Sequence, residues 1–408
     1  MGKVRLQFPK NFLWGAASSA YQTEGNNTNS DWWTWEHSVR RMDALRRAGK
    51  NPEDYFGGIA DDFWNRYDED FALAQHLYHN TTRFGLEWSR IEPTEGVFDE
   101  KALDHYEKIL QSAKYHGLKI FLTLHHYSNP IWFAKKGGFL NPQSVEIFKR
   151  FTEVVAKRLG EYVDFWLTIN EPEVYSSHSY YFNKYPPQHR SLWETYKVVN
   201  NLVGAHRAAY EILKLHSGKP VSIAYQMADW QPTSRLSYIT HALVEYLANG
   251  YILNRTVDYC DYIGLNYYIH HHVGIFGIRK HSHTNHELTD VGWGIHPEGI
   301  KSILLKLKKH HKPIYITENG IADAKDTKRE KYIKDHLSNV HEAISQGADV
   351  RGYLYWSLTD NFEWAEGYGP RFGLIEIDRE DLLRRRVRHS ALAYAEICKN
   401  NFMEYEIV

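Results

Sequence analysis

Eight short apolar runs, set along the chain between longer amphipathic stretches, constrain this sequence more than any other feature. They are FLWGAAS from Phe12, TTRFGLEW from Thr81, KIFLTLHH from Lys119, VDFWLTINEP from Val163, PVSIAYQ from Pro220, DYIGLNYY from Asp261, KPIYITENG from Lys312 and VRGYLYWSL from Val350. Each stays apolar through its middle instead of alternating, as a strand covered on both faces must. Between them the pattern turns helical. In DEKALDHYEKILQSAKYHG, Leu103, Tyr106, Ile109, Leu110 and Ala113 fall at helical spacing, with Asp99 placed to cap and Gly117 to terminate. NPQSVEIFKRFTEVVAKRLGEY, PEGIKSILLKLKKHHK and TKREKYIKDHLSNVHEAISQG read the same way. Eight strands with a helix after nearly every one predict an α/β fold, a (β/α)8 TIM barrel in which residues 1–408 form a single domain. The alternative is an open doubly wound sheet. That fold wants a glycine-rich phosphate turn after the first strand, and WGAASSAYQTEG is not one.

Composition narrows the class of partner. The formal net charge is −1, so no global field draws the chain to nucleic acid or to an anionic membrane. No apolar stretch approaches a membrane span, and the N-terminus has no apolar core of a secretory signal. The two cysteines, Cys260 and Cys398, rule out a disulfide framework and suit a reduced, cytoplasmic setting. Thirteen Trp and 29 Tyr suit either a large aromatic core or a site that stacks on sugar rings. YIHHHVG, with His270 to His272, and HSHTNH, residues 281–286, look like metal clusters. In a chain with 24 histidines such runs arise by composition, and no metal is expected. LLRRRVRHS, before the last helix, reads as a solvated or ion-paired loop.

Barrel enzymes do their chemistry at the C-terminal ends of the strands. The polar residues closing the runs are Gln22 and Glu24 past the first, Arg83 and Glu87 on the second, and His125 and His126 on the third. Asn170 and Glu171 close the fourth, Asn266 and Tyr268 the sixth, Glu318 and Asn319 the seventh, and Trp356 the eighth, with Asp360, Glu363 and Trp364 following. Barrel closure brings them to one mouth. Glu171 and Glu318 face each other across it. Two carboxyls in one pocket suit glycoside hydrolysis, one as acid and one as anion, and their separation decides between retention and inversion.

Those segments resemble glycoside hydrolase family 1. TINEP and ITENG are similar to its two signature glutamate segments. FLWGAASSAYQTEG, TRFGLEWSRIEPTEG, GLNYY, DVGWGIHPEGI and YWSLTDNFEWAEGYGPRFGL resemble further family segments in the same order. The resemblance implies a retaining, exo-acting β-glycosidase on unphosphorylated β-glucosides, with β-galactosides and β-fucosides as side substrates, and no cofactor. It implies Glu171 as general acid/base and Glu318 as nucleophile, with Arg83 and Tyr268 touching Glu318 and Asn266 near it. Gln22, His125, Asn170, Glu363 and Trp364 are implied to hold the sugar hydroxyls. Trp356 is the implied floor and Trp293 the implied entrance. Arginine and phenol contacts would keep the pKa of Glu318 low. Thioglucosidases carry glutamine where Glu171 stands, and 6-phosphosugar enzymes a small residue where Glu363 stands, so neither is expected.

Two departures carry expectations. The third strand has His125–His126 where the family often has His-Trp, leaving His126 or Tyr127 to fill that wall. Glu87 is an extra carboxylate, expected to pair with an arginine. The chain is also short for the family, which implies trimmed entrance loops. Other uses of the site are transfer of the sugar mainly to an acceptor, or glycan binding without catalysis. The latter would be marked by a missing carboxylate, and neither is missing.

Overall fold

The computed structural model describes residues 2–279 and 287–407. All eight apolar runs form strands: β1 Leu13–Ala17, β2 Thr81–Gly85, β3 Lys119–His125, β4 Phe165–Asn170, β5 Val221–Gln226, β6 Ile263–Asn266, β7 Ile314–Asn319 and β8 Val350–Trp356. They pair in parallel in chain order, and β8 returns to β1 to close the barrel. The fold is therefore the (β/α)8 barrel. Its lower interior is plugged by aromatic rings. Phe121 stacks on Phe165 at 4.3 Å between centroids, with Tyr262 and Tyr315 edge-on. That plug leaves only the upper end open for polar groups.

The helices pack outside as their spacing predicts. Helix Glu100–Tyr115 buries Leu103, Tyr106, Ile109, Leu110 and Ala113. Asp99 caps it by accepting from the backbone of Lys101 at 2.8 Å and Ala102 at 3.1 Å. Gly117 ends it at φ +73°, where a side chain would be strained.

Three small sheets were not anticipated. Gly2–Gln7 pairs antiparallel with Phe402–Ile407, joining the two ends of the chain. Asp229–Pro232, His270–Gly274 and Gly277–Ile278 form a second. His270 to His272 lie in that sheet, where His271 stacks on Trp230 and His270 meets His272 and His296. HSHTNH falls outside the described residues. The third pairs Ile375–Asp378 with Arg384–Val387, so part of the basic run is a strand. Its charges are ion-paired: Arg386 with Asp378, Arg388 with Asp360, and Arg385 with Asp70.

The Arg385–Asp70 pair has both side chains about 1% exposed and is bidentate, at 2.9 and 3.1 Å. Asp70→Ala would strand a buried guanidinium, at a cost of about 3–5 kcal/mol. A matching fall in stability by guanidinium unfolding is expected. A change within about 0.5 kcal/mol, the range of an ordinary surface substitution, would contradict it.

Candidate active site

Arg83, fully buried on β2, organises the polar layer above the aromatic plug. Its guanidinium donates to Glu318 Oε1 at 2.6 Å, to the Thr317 carbonyl at 3.1 Å and to Asn170 Oδ1 at 2.6 Å, while Nε donates to Thr123 at 3.2 Å. Strands β2, β3, β4 and β7 are thereby tied through one cation. Asn170 Oδ1 also accepts from Asn266 at 3.1 Å, so its NH2 faces His126 Nε2 at 2.9 Å. The Asn266 side-chain Oδ1 accepts from the Thr317 hydroxyl, which aims the Asn266 NH2 at Glu171 Oε1, 2.8 Å away.

Both glutamates sit where the barrel ladder slips. The register of β4 against β5 shifts between Leu167 and Asn170, and that of β7 against β6 between Ile316 and Glu318. Such irregularities at a barrel rim re-aim the side chains that follow. Glu171 adds φ +42°, with Pro172 opening the next helix directly behind it. After Glu318 and Asn319, Gly320 passes so close to the Trp356 carbonyl that a Cβ would lie 1.9 Å from its oxygen. Any larger residue would push β7 away from β8.

The two carboxyls have different surroundings. Burial pushes Glu171 up to about 7, and the charge of Glu318 adds to this; hydrogen bonds from Tyr127 and Asn266 oppose it. Burial raises Glu318 as well, contrary to the low value expected. Arg83, Tyr268 at 2.7 Å and Asn266 pull it back down. With a cation bonded to one carboxyl and none to the other, Glu318 ionises first. The Asn266 amide bonds Glu171, while the resemblance placed it near Glu318, whose pKa it also helps to lower.

A cavity of about 1060 Å³ opens above this pair. Trp356, Trp364, His126, Asn170, Tyr268 and Glu363 line it, and Trp293 stands at its wall beside Tyr268 and Phe372. Gln22 is fully buried behind the wall, donating to Glu363 at 3.3 Å and to the Phe362 carbonyl at 2.9 Å. Burial, with Glu318 and Glu171 nearby, raises Glu363 to about 8.

Two residues expected to hold the sugar, Gln22 and His125, do not line the cavity. His125 bonds Asn129 at 3.1 Å and packs against Phe139 and Tyr175. His126 takes the place, its ring 6.0 Å from Trp356 and 5.7 Å from Trp364. Neighbouring strand residues point to opposite sides, so a one-residue error in register exchanges them. Burial holds His126 well below its usual pKa, and the ring is neutral. With Nε2 accepting from Asn170, its proton sits on Nδ1, which has no partner among the described residues.

Glu87 is also corrected. It accepts from the Ser89 and Ser128 hydroxyls at 2.7 Å each, while Arg90 pairs with Glu24 instead. Glu24, Asn319 and Asp360, which close strands or follow them, serve the framework. Asn319 bonds Tyr332 and Tyr353, and Asp360 bonds Arg388. The residue most undervalued from sequence is Tyr127, whose hydroxyl donates to Glu171 Oε2.

Fold and site together define the class, a (β/α)8 glycoside hydrolase. The chain belongs to glycosyl hydrolase family 1, whose family model matches residues 4–262 and 253–403. Beta-glucosidase A of Thermotoga maritima is 31% identical over 452 residues, covering 98% of this chain and 99% of that protein. A beta-galactosidase of Saccharolobus solfataricus is 30% identical, covering 98% and 96%. The solved beta-glycosidase from Pyrococcus horikoshii is 37% identical with a TM-score of 0.89, covering 98% of this chain and 96% of that one.

Proposed function

We propose that the protein is a retaining, exo-acting β-glycosidase that hydrolyses terminal, unphosphorylated β-D-glucosides and accepts β-galactosides and β-fucosides. The observation that carries this reading is the unequal carboxyl pair: Glu318 bonded to Arg83 and Tyr268, and Glu171 buried without a cation of its own. Glu318 attacks the anomeric carbon as Glu171 protonates the departing oxygen. The ester removes the charge of Glu318, the pKa of Glu171 falls, and Glu171 takes a proton from the attacking water. Arg83 bonds Glu318 and Asn170, and Asn266 bonds Asn170 and Glu171, so one short polar chain links the two carboxyls, which supports the short separation that retention needs. Trp356 gives the sugar a face to stack on. Asn170 and Glu363 meet its hydroxyls beside the His126 ring, with Gln22 orienting Glu363. The setting proposed is cytoplasmic, which the free, buried Cys260 and Cys398 suit.

A panel of aryl β-glycosides followed by NMR tests the reading, with the β-anomer as first product and glucosides, galactosides and fucosides ranked by kcat/KM. A first-formed α-anomer would refute it. Running the panel with added sugar or alcohol acceptors measures transfer against hydrolysis. The acid form of Glu171 is required, so kcat/KM is expected to fall as pH rises through about 7. A profile flat from pH 5 to about 9 would remove Glu171 from the acid role.

A further inference from the structure

We infer that Tyr127 is a positioning residue for Glu171: its hydroxyl, held by a clamped loop, favours the ionised carboxylate and fixes where that carboxylate points. The inference rests on the acid/base reading of Glu171. Tyr127 is 3% exposed and its hydroxyl donates to Glu171 Oε2 on the side away from Asn266, which holds Oε1 at 2.8 Å. The two donors together hold the carboxyl plane.

The loop that carries Tyr127 is built for this. Tyr127 has φ +70°, a conformation rarely taken by a bulky residue and kept only where the surroundings enforce it. The residues after it are clamped. The Ser128 hydroxyl donates to buried Glu87 at 2.7 Å, and Asn129 donates to Asp31 through its backbone at 2.9 Å and its side chain at 2.8 Å. This gives Glu87 and Asp31, neither of which touches the cavity, a role in the site. The Tyr127 ring is wedged against Trp364 and Tyr185 at 5.0 and 5.8 Å.

A phenol that donates to a carboxyl stabilises its anion more than its acid. The contact therefore strengthens as Glu171 gives its proton to the leaving group and while it waits as a base. Burial and the neighbouring acids keep Tyr127 itself protonated. The other groups facing Glu171 are Glu318, Arg83 and Asn266 from the barrel, Tyr268 and Glu363 from loops, Tyr185 across the cavity, and Glu173 on its own helix. Tyr127→Phe alters none of their charges.

The test is the pH dependence of kcat/KM. Tyr127→Phe is expected to move the alkaline limb up by about one pH unit, the size of a lost hydrogen bond to a charged group. In a Glu171→Gln background the same change should have little further effect, because no carboxylate remains to be tuned. Ser128→Ala loosens the clamp without touching the phenol and should move the limb the same way by less. An unmoved limb in both variants, or an equal fold-loss with and without Glu171, would overturn the inference and assign Tyr127 to packing. The underlying reading fails separately, if Glu171→Ala keeps full turnover on substrates with poor leaving groups.

Discussion

Glu318→Ala is expected to lower kcat on aryl β-glucosides by about 10⁶-fold, the scale of loss when a covalent nucleophile is removed. The substitution leaves a void beside Arg83, whose guanidinium keeps three partners, Asn170 Oδ1, the Thr317 carbonyl and the Thr123 hydroxyl, but loses its anion. A small anion should enter that void. Azide is then expected to restore much of the turnover on substrates with good leaving groups. It attacks from the face Glu318 has vacated, so the product is the α-glycosyl azide, inverted once instead of twice. Turnover within about tenfold of the wild type would remove Glu318 from the nucleophile's role.

The barrel was legible because its strands are buried on both faces, and continuous apolar runs announce that without help from distant residues. The cap at Asp99 and the stop at Gly117 were legible for a similar reason, each being a local event. The three small sheets were not. GKVRLQ pairs with FMEYEI across nearly the whole chain, and its alternating polar residues give no sign of the partner. The site divides along the same line. Glu171 and Glu318 could be found by type and position, since a carboxylate at the end of a buried run has few reasons to be there. The choice between His125 and His126 could not, because it turns on one step of strand register. Nor could the partner of Glu87, since Arg90 had two glutamates within reach and the fold gives it to Glu24. Tyr127 gave the weakest signal. Its importance lies in a positive φ and in two clamps from segments dozens of residues away.

Glu171→Ala should separate substrates by leaving group. A phenolate with a low pKa departs without a proton, so the first step on a dinitrophenyl glucoside should stay close to the wild-type rate. An alkyl or disaccharide leaving group needs the proton, and kcat/KM there should drop by about 10²–10⁴-fold. The second step also suffers, because Glu171 is the proposed base toward water. The covalent intermediate should therefore accumulate on activated substrates, visible as a burst followed by slow turnover. Azide needs no base and should empty the intermediate quickly. It attacks the face opposite Glu318, so here the product is the β-glycosyl azide. The two alanine variants thus predict opposite anomers from the same reagent, which a misfolded or merely weakened enzyme would not produce. Equal losses across all leaving groups, or the same azide anomer from both variants, would mean that Glu171 and Glu318 do not divide the work as their surroundings imply.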